Sequence, residues 1–220
     1  YGVLNLTHYK DHEFPEKLVP GKKYKVRIQL NEIGHIFPES HRFRVSVSSS
    51  YFPLAWTPPE MATVLVHTEE SRISLPVLKG ESDQKVSFEE PLGVKPHSVK
   101  KTIKAPDYKW NVNRDLITNE STMEIIKEED IFHLNEINLK INDFNIEKYS
   151  VRDDSLETVK GEVIWEKSLE RDDWKVKTYA NTHLTSDKEN FYIHATLDAY
   201  VGESRIFSKI WNETIPRNHV

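Results

Sequence analysis

Apolar and polar side chains alternate with a two-residue period in most recognisable segments of this chain, which is the pattern of half-buried β-strands. From Tyr24 to Leu30 the apolar residues fall on one face, and from Phe43 to Val47 they do so again after a turn. We therefore predict a β-hairpin over residues 20–56, opened by the Pro-Gly pair at its start. A short strand over residues 1–9 and two strands rich in β-branched residues over 61–68 and 71–77 are also predicted.

The same alternation resumes after residue 115 and runs to the C-terminal end. Its clearest example is Phe191–Val201, which is followed by a Gly-Glu turn and a strand over Arg205–Trp211. The run Glu170–Asp173 is typical of a tight turn and predicts a hairpin between its flanking strands. Such strands form an antiparallel meander, whose single apolar face has to pack on another sheet or on a partner domain. The remaining strands are predicted over 122–127, 136–142, 145–151 and 157–170, with a turn at 128–130.

Between the two regions of alternation, the apolar residues of 79–114 follow no regular period for long, and glycine and proline interrupt the segment. We therefore predict a surface connector there. Short strands are expected within it at 86–88 and 99–103. Helical signal is limited to a turn or two over Asp153–Lys160, and the chain is therefore predicted to be all-β. The expected domains are 1–79, a connector over 80–115, and the meander over 116–220.

Composition excludes several classes of function. The formal net charge of −5 and the mean hydropathy of −0.62 argue against a surface for nucleic acid or anionic membrane, which needs clustered Lys and Arg. No apolar run approaches the roughly 18 residues that cross a bilayer. The absence of cysteine excludes disulfides, thiolate metal sites and a cysteine nucleophile. Because the chain starts in strand-like sequence without methionine, we expect it to be a piece of a longer protein.

The sequence contains no recognisable catalytic or metal-binding motif. It lacks the G-x-S-x-G elbow of serine hydrolases, and the Ser48–Ser50 run stands at a strand end, where small hydroxyl residues are ordinary. His8 and His12 are four residues apart, but they lead into a proline loop rather than a helix. The pairs Asp153-Asp154 and Asp172-Asp173 fall where turns are predicted, and a calcium site would need more oxygen ligands. We therefore predict no metal and no cofactor.

Aromatic residues leave one binding function open. Five tryptophans in an all-β chain suit a carbohydrate-binding platform, in which sugar rings stack on exposed indoles. Trp165, Trp174 and Trp211 lie inside strand patterns, where packing in a core is the usual role. Trp56, which stands among prolines, is the tryptophan that we expect to be exposed.

The first 79 residues also contain a long, ordered set of motifs. These are Leu4-Asn5-Leu6-Thr7-His8, the Pro20-Gly21 turn before Tyr24, His35 with Phe37-Pro38, His41-Arg42 with Arg44-Val45, and Ser48-Ser49-Ser50 leading to Phe52-Pro53. The set resembles the C-terminal domain of the CocE/NonD hydrolases, the group that includes X-Pro dipeptidyl-peptidases and cocaine esterase. A block at 147–154 and the closing segment 206–216 are similar to an extension that many bacterial members carry.

This resemblance implies a non-catalytic role. In the family, an upstream α/β-hydrolase domain carries the Ser-Asp-His triad, and the C-terminal domain is a jelly-roll sandwich, similar to galactose-binding modules, that packs against it. The resemblance therefore implies a jelly-roll portion without its first strands, followed by the meander, in a chain that is inactive alone. One position departs from the family, which has glycine where this chain has Ser40, and this implies an altered or mildly strained turn.

Any contact with substrate of the complete enzyme is expected at Ser50, Tyr51, Phe52 or Trp56, because jelly rolls of this family lean over the active-site cleft. The alternative is that Tyr51 and Phe52 only pack a domain interface. The expected partner is the α/β-hydrolase domain of the same protein, and an open sheet edge would also allow a homo-oligomer. A stand-alone carbohydrate- or protein-binding module is the alternative function.

Overall fold

The structure, a computed structural model, describes residues 1–78, 87–94, 99–153 and 155–219. Its described residues form nine antiparallel strands in one open sheet, which confirms the all-β antiparallel prediction. Val86, from the strand predicted at 86–88, and Asp154 lie outside the described residues, and 87–88 are not in a strand. The strands are β1 (Lys100–Lys104), β2 (Asp107–Arg114), β3 (Glu120–Glu128), β4 (Ile131–Leu134), β5 (Leu139–Arg152), β6 (Lys160–Arg171), β7 (Trp174–Ser186), β8 (Asn190–Val201) and β9 (Ser204–Pro216).

The sheet is a meander in which each strand line pairs with the next one along the chain. β1 and β2 form one interrupted line, which pairs with a second line formed by β3 and β4. Between β3 and β4, Glu128 faces Phe144 on β5 but Phe132 faces Ile141, so one extra residue is accommodated. The turn predicted at 128–130 is therefore wrong, because this segment is a bulge within a continuing edge.

Most predicted features of the meander are confirmed. β6 and β7 form the predicted hairpin, with Asp172 in the left-handed conformation of a tight turn at φ 52°. β8 follows the predicted boundaries closely, whereas β9 continues to Pro216 beyond its predicted end at Trp211. A single 3-10 turn at Leu156–Thr158 lies inside the predicted helical segment. The segment predicted as a strand over 136–142 starts instead with a 3-10 turn at Asn135–Ile137, after which β5 begins.

The sheet extends back into the stretch that was predicted to be a connector. The strand predicted over 99–103 is confirmed as β1, whereas β2 was missed. The signal for β2 was present in the sequence, since Tyr108, Trp110 and Val112 alternate with polar residues. The neighbouring prolines and lysines obscured it, because their composition is typical of a linker.

The two faces of the sheet differ most clearly in their tryptophans, which all lie on one side. Cross-strand neighbours share a face, and one such row runs Glu124, Lys148, Glu162 and His183. Lys148 pairs with Glu124 at 3.3 Å, and His183 Nε2 lies 3.7 Å from Glu162. We call this the polar face. The opposite side, the tryptophan face, carries Trp110, Trp165, Trp174 and Trp211.

Residues 1–78 contain no strand, so the predictions over 1–9, 20–56, 61–68 and 71–77 are wrong for this structure. Residues Leu6–His8 instead form a 3-10 turn, in which the Asn5 side chain accepts a hydrogen bond from the Thr7 amide at 3.2 Å. Alternation marks a chain segment that can bury one face, but a ladder forms only where a second strand supplies hydrogen-bond partners. Here the apolar side chains remain uncovered, and Val45 is 65% exposed.

The exposed area of the molecule reflects this absence of a covering layer. The chain has 18,458 Å² of accessible surface. A compact monomer of this mass exposes about 10,500 Å². Val159 is the only fully buried large apolar side chain among the described residues. The apolar faces of this chain therefore require further protein to cover them.

Ser40 adopts the conformation that the departure from the family pattern predicted. Its φ of 71° lies in the left-handed region, where a side chain with a Cβ is strained. The turn is nevertheless closed by a hydrogen bond from the His41 amide to the Pro38 carbonyl at 3.2 Å. Serine therefore retains the turn at the cost of local backbone strain.

Candidate functional site: a loop docked on the tryptophan face

The segment Tyr51–Thr57, which we call the docked loop, folds back onto one end of the tryptophan face. A hydrogen bond from the Ala55 amide to the Tyr51 carbonyl, 3.0 Å long, closes the loop on itself. The Phe52 ring then meets Trp56 edge-on at 5.7 Å and Tyr149 of β5 at 6.1 Å. The loop thus joins the N-terminal segment to the sheet through aromatic contacts.

Trp56 is the central residue of this contact. Its indole Nε1 donates a hydrogen bond to Ser186 Oγ at 2.8 Å, and its ring lies 6.3 Å from that of Phe191. Gly161 of β6 leaves room beneath the indole. The expectation that Trp56 is exposed is therefore wrong, because its side chain is half-buried against three strands.

Arg217 closes the site from the C-terminal side. It is only 3% exposed, and its guanidinium donates to the carbonyls of Thr57 and Asp187, the latter at 2.9 Å, and to Ser186 Oγ at 3.4 Å. It also lies 4.8 Å above the Phe191 ring. Burial lowers the pKa of Arg217. This one side chain therefore contacts the docked loop, the end of β7 and the start of β8.

The four residues predicted to approach substrate fall into two groups. Phe52 and Trp56 contact the sheet, whereas Ser50 and Tyr51 are exposed. The Ser50 amide donates to Ser48 Oγ at 3.3 Å, and Tyr51, 39% exposed, lies 5.8 Å from the Tyr1 ring. The loop therefore has an anchored inner side and an outer side that faces solvent.

Sequence reasoning missed Ser186, Phe191 and Arg217 as parts of this site. Ser186 and Phe191 end and begin strands, and Arg217 follows a proline just after β9. No local pattern distinguishes this arginine from one on the surface, because its partner Thr57 is 160 residues away along the chain. Only the fold brings these residues together.

The arrangement offers contacts for packing rather than for catalysis. The Ser50 backbone makes two hydrogen bonds with the Ser48 hydroxyl, as donor through its amide and as acceptor through its carbonyl, and neither involves a base or a carboxylate. Among the described residues no group of three or more His, Cys, Asp or Glu side chains is placed to hold a metal ion. Within the same ranges, no helix reaches the length and apolar character of a membrane span.

Comparison with known families decides which kind of domain presents this loop. Residues 1–91 match the family described as the X-Pro dipeptidyl-peptidase C-terminal non-catalytic domain. The match covers 91 of the 220 residues and lies at the N-terminal end of the chain. The match contains the docked loop and confirms the resemblance drawn from the motifs of the first 79 residues. Comparisons with curated proteins and with solved structures found no match.

Gly161 controls how closely the docked loop approaches the sheet. A Cβ at this position would lie 3.5 Å from the Trp56 ring and 3.6 Å from Tyr149, which is ordinary contact. We therefore expect Gly161→Ala to leave the loop docked, whereas Gly161→Val, with two further methyl groups, displaces Trp56 and destabilises the docked state by about 2 kcal/mol. Amide hydrogen exchange at Ala55 measures this difference. Equal exchange in both variants would show that the indole does not rest on Gly161.

Asp187, beside Arg217, makes the turn between β7 and β8 sensitive to acid. Its carboxylate accepts hydrogen bonds from the Tyr192 hydroxyl at 2.6 Å and from two backbone amides, at Glu189 and Asn190, and these lower its pKa. A lowered folded-state pKa stabilises the fold above the ordinary value of 3.8, and this stabilisation is lost as pH falls through the folded-state value.

We expect Asp187→Asn to remove this acid-dependent loss and Tyr192→Phe, which removes the largest cause, to reduce it. The measurement is the midpoint of thermal unfolding, compared between the variants as the pH falls from above the ordinary carboxyl value of 3.8 to below it. If Asp187→Asn keeps the same acid dependence as the unaltered chain, the carboxylate is not its source.

Proposed function

We propose that this chain is the non-catalytic C-terminal region of a CocE/NonD-type serine hydrolase and packs on the α/β-hydrolase domain of that enzyme. The observation that supports this most directly is the match of residues 1–91 to a domain described as non-catalytic and C-terminal. A domain of that kind implies a catalytic domain in the same protein. The uncovered apolar side chains of residues 1–78, such as Val45, agree with a region that folds against further protein.

We further propose that residues 1–79 complete a jelly-roll, galactose-binding-like sandwich within the whole enzyme, with 116–220 as the extension that supports it. Support comes from the alternating segments of the first region, which are not paired in a sheet in this chain. Strands that lack hydrogen-bond partners are completed when neighbouring strands are present. The docked loop then connects the two parts.

We assign the shaping of the substrate pocket to Tyr51 and the adjacent Ser50, on the solvent-facing side of the docked loop. Phe52, Trp56 and Thr57 hold the loop on the sheet, so that Ser50 and Tyr51 are presented on a fixed support. A large aromatic side chain on a rigid loop is well suited to forming one wall of an apolar acyl pocket. Tyr51 is therefore the residue that we expect to contact substrate.

The test uses the complete polypeptide and an X-Pro chromogenic amide beside an aryl ester. We expect Tyr51→Ala to raise KM by about tenfold with little change in kcat, because lost ground-state contacts weaken binding without altering the reacting groups. Leu54→Ala is the matched control, since Leu54 lies in the same loop and is 75% exposed. Unchanged KM in Tyr51→Ala would reject pocket shaping. Activity of the 220-residue chain alone would reject the non-catalytic assignment.

A further inference from the structure

The sheet has two edges, and they differ in how well they are protected against a further strand. β9 forms one edge with 13 residues, and among the described residues it pairs only with β8. The other edge is divided between β1 with five residues and β2 with eight, and four lysines stand along it. Short strands and lysines are the devices that keep an edge from pairing with another chain. β9 is therefore the edge of the sheet that is open to a partner strand.

The open part of β9 is the segment Phe207–Ile215. The register with β8 shifts just before Phe207 and is continuous from there to Ile215. Pro216 ends the strand, because it has no amide hydrogen to donate. The side chains of Phe207, Ile210 and Ile215 are all exposed. A partner strand would therefore meet nine consecutive residues of regular geometry, several of them with uncovered apolar side chains.

Two copies of β9 can pair in only some registers. Along a strand, successive residues direct their amide and carbonyl groups to alternate edges and their side chains to alternate faces. Two identical antiparallel strands are related by a two-fold axis, so that an odd-numbered residue of one copy faces an odd-numbered residue of the other. Each possible register is therefore centred on one residue, which faces its own counterpart.

Side-chain chemistry favours the register centred on Trp211. In that register Lys209 faces Glu213 of the second copy, and the two-fold axis repeats the pair. Phe207 faces Ile215 of the second copy, also twice, and the two Trp211 rings lie opposite each other at the centre. Opposite charges, an aromatic ring beside a β-branched side chain, and paired aromatic rings are combinations that stabilise antiparallel strands. Every odd-numbered residue of the open segment is therefore matched.

The neighbouring registers lack this match. A register centred on Lys209 places two ammonium groups opposite each other, and like charges in facing positions are destabilising. Registers centred on Ile210 or Asn212 each place the Glu213 carboxylate opposite an aromatic ring instead of a cation. Charge complementarity therefore selects the register centred on Trp211.

The two charges that this pairing uses have no ion pair within the sheet. Lys209 and Glu213 are exposed, and in the described ranges no salt bridge joins either of them to another residue. On the inner strands, by contrast, cross-strand charges pair with each other, as Lys127 does with Glu147 at 2.7 Å. The Lys209 ammonium lies 4.7 Å from the centre of the Trp211 ring, beside the centre of that register. A second copy supplies the opposite charge to both residues.

The pairing is long enough to form a specific interface. An antiparallel ladder provides about one backbone hydrogen bond per residue, so the nine residues of the open segment form about nine bonds with their counterparts. A typical protein–protein interface has about ten. Edge-to-edge pairing buries only one row of side chains on each face, so we expect association to be measurable at micromolar concentrations.

We propose that β9 pairs with β9 of a second copy of this chain, antiparallel and centred on Trp211, so that two sheets become one continuous sheet. The pairing uses the edge of the sheet and not its faces. It therefore does not depend on the proposed packing against a catalytic domain, and the two proposals can fail separately.

Sedimentation velocity of the 220-residue chain tests this pairing. We expect a dimer to replace the monomer as the concentration rises from about 1 to about 300 µM. Lys209→Glu and Glu213→Lys should each weaken dimerisation about thirtyfold, because two opposite-charge pairs become two like-charge pairs. An equimolar mixture of the two variants, or the double variant alone, should regain it, because every facing pair is again opposite in charge. Lys101→Glu, on the other edge of the sheet, is the matched control and should dimerise like the unaltered chain.

Three outcomes would overturn the proposal. A chain that stays monomeric over this range has no pairing at β9. Equal association of Lys209→Glu, Glu213→Lys and the unaltered chain would assign self-association to apolar side chains elsewhere. A mixture and a double variant that both remain monomeric, with unchanged circular dichroism, would reject the two-fold register centred on Trp211. None of these results alters the test of Tyr51→Ala, which measures the activity of the complete polypeptide.

Discussion

Replacing Arg217 by methionine should open the docked loop, with a loss of about 3 kcal/mol in the free energy that holds it closed, because each hydrogen bond to a charged group contributes about 1.5–3 kcal/mol. Methionine keeps an apolar stem but donates to none of the three acceptors, the carbonyls of Thr57 and Asp187 and the Ser186 hydroxyl. The protection of the Ala55 amide against hydrogen exchange should fall by about a hundredfold.

Arg205→Met is the matched control for this substitution. The Arg205 side chain is 57% exposed and pairs with Asp198 at 3.5 Å, so its loss should change stability by less than about 0.5 kcal/mol. If Arg217→Met and Arg205→Met leave the exchange of Ala55 equally slow, Arg217 does not hold the loop.

Replacing Trp56 by alanine should have a similarly large effect, about 3 kcal/mol, because it removes a half-buried indole and leaves a cavity between the loop and the sheet. Trp56→Phe keeps most of the ring packing and removes only the hydrogen bond to Ser186. This variant should therefore lose about 1 kcal/mol of the free energy that holds the loop closed. Exchange of the Ala55 amide, compared across both variants, separates the packing contribution from the polar one.

Trp110→Ala provides the control for the size of the side chain. Trp110 is 72% exposed in the isolated chain, and its removal there should alter stability by less than about 0.5 kcal/mol. Equal losses of stability from Trp56→Ala and Trp110→Ala would contradict the different environments that the structure gives to these two indoles.

The meander could be predicted from the sequence because its information is local. In β8, Phe191, Ile193 and Ala195 alternate with polar residues, and the Gly-Glu pair that follows sets the turn into β9. Each strand pairs with its neighbour in sequence, so that period and turn position together define the register. Where the pattern was broken, as at the bulge after Glu128, the same reasoning placed a turn that does not exist.

The first half of the chain shows the limit of this reasoning. The alternation from Tyr24 to Leu30 is as regular as that of β8, yet the segment forms no β-strand in the structure. A pattern predicts which face a strand will bury and not whether a partner is present. The same motifs nevertheless pointed to the family whose model matches residues 1–91, because such a match depends on the order of residues and not on whether their strands are paired.

The candidate site was only half predictable. The sequence pointed to the loop containing Phe52 and Trp56, since large aromatics among prolines are unusual in a strand pattern. It could not indicate that Trp56 faces inward while Trp165 faces outward, because periodicity assigns residues to faces and does not say which face is covered. Arg217 carries no local signal at all, and its role follows from a contact across most of the chain.

A double-mutant cycle between Trp56→Phe and Ser186→Ala tests the central claim most directly, namely that the loop Tyr51–Thr57 is docked on the sheet. The two side chains are 130 residues apart in sequence and are joined by a single hydrogen bond of 2.8 Å. If the loop is docked, the free energies obtained from Ala55 exchange should give a coupling of about 1 kcal/mol. A coupling free energy of zero, in which the losses of the two single variants add up to that of the double variant, would contradict docking of the loop on the sheet.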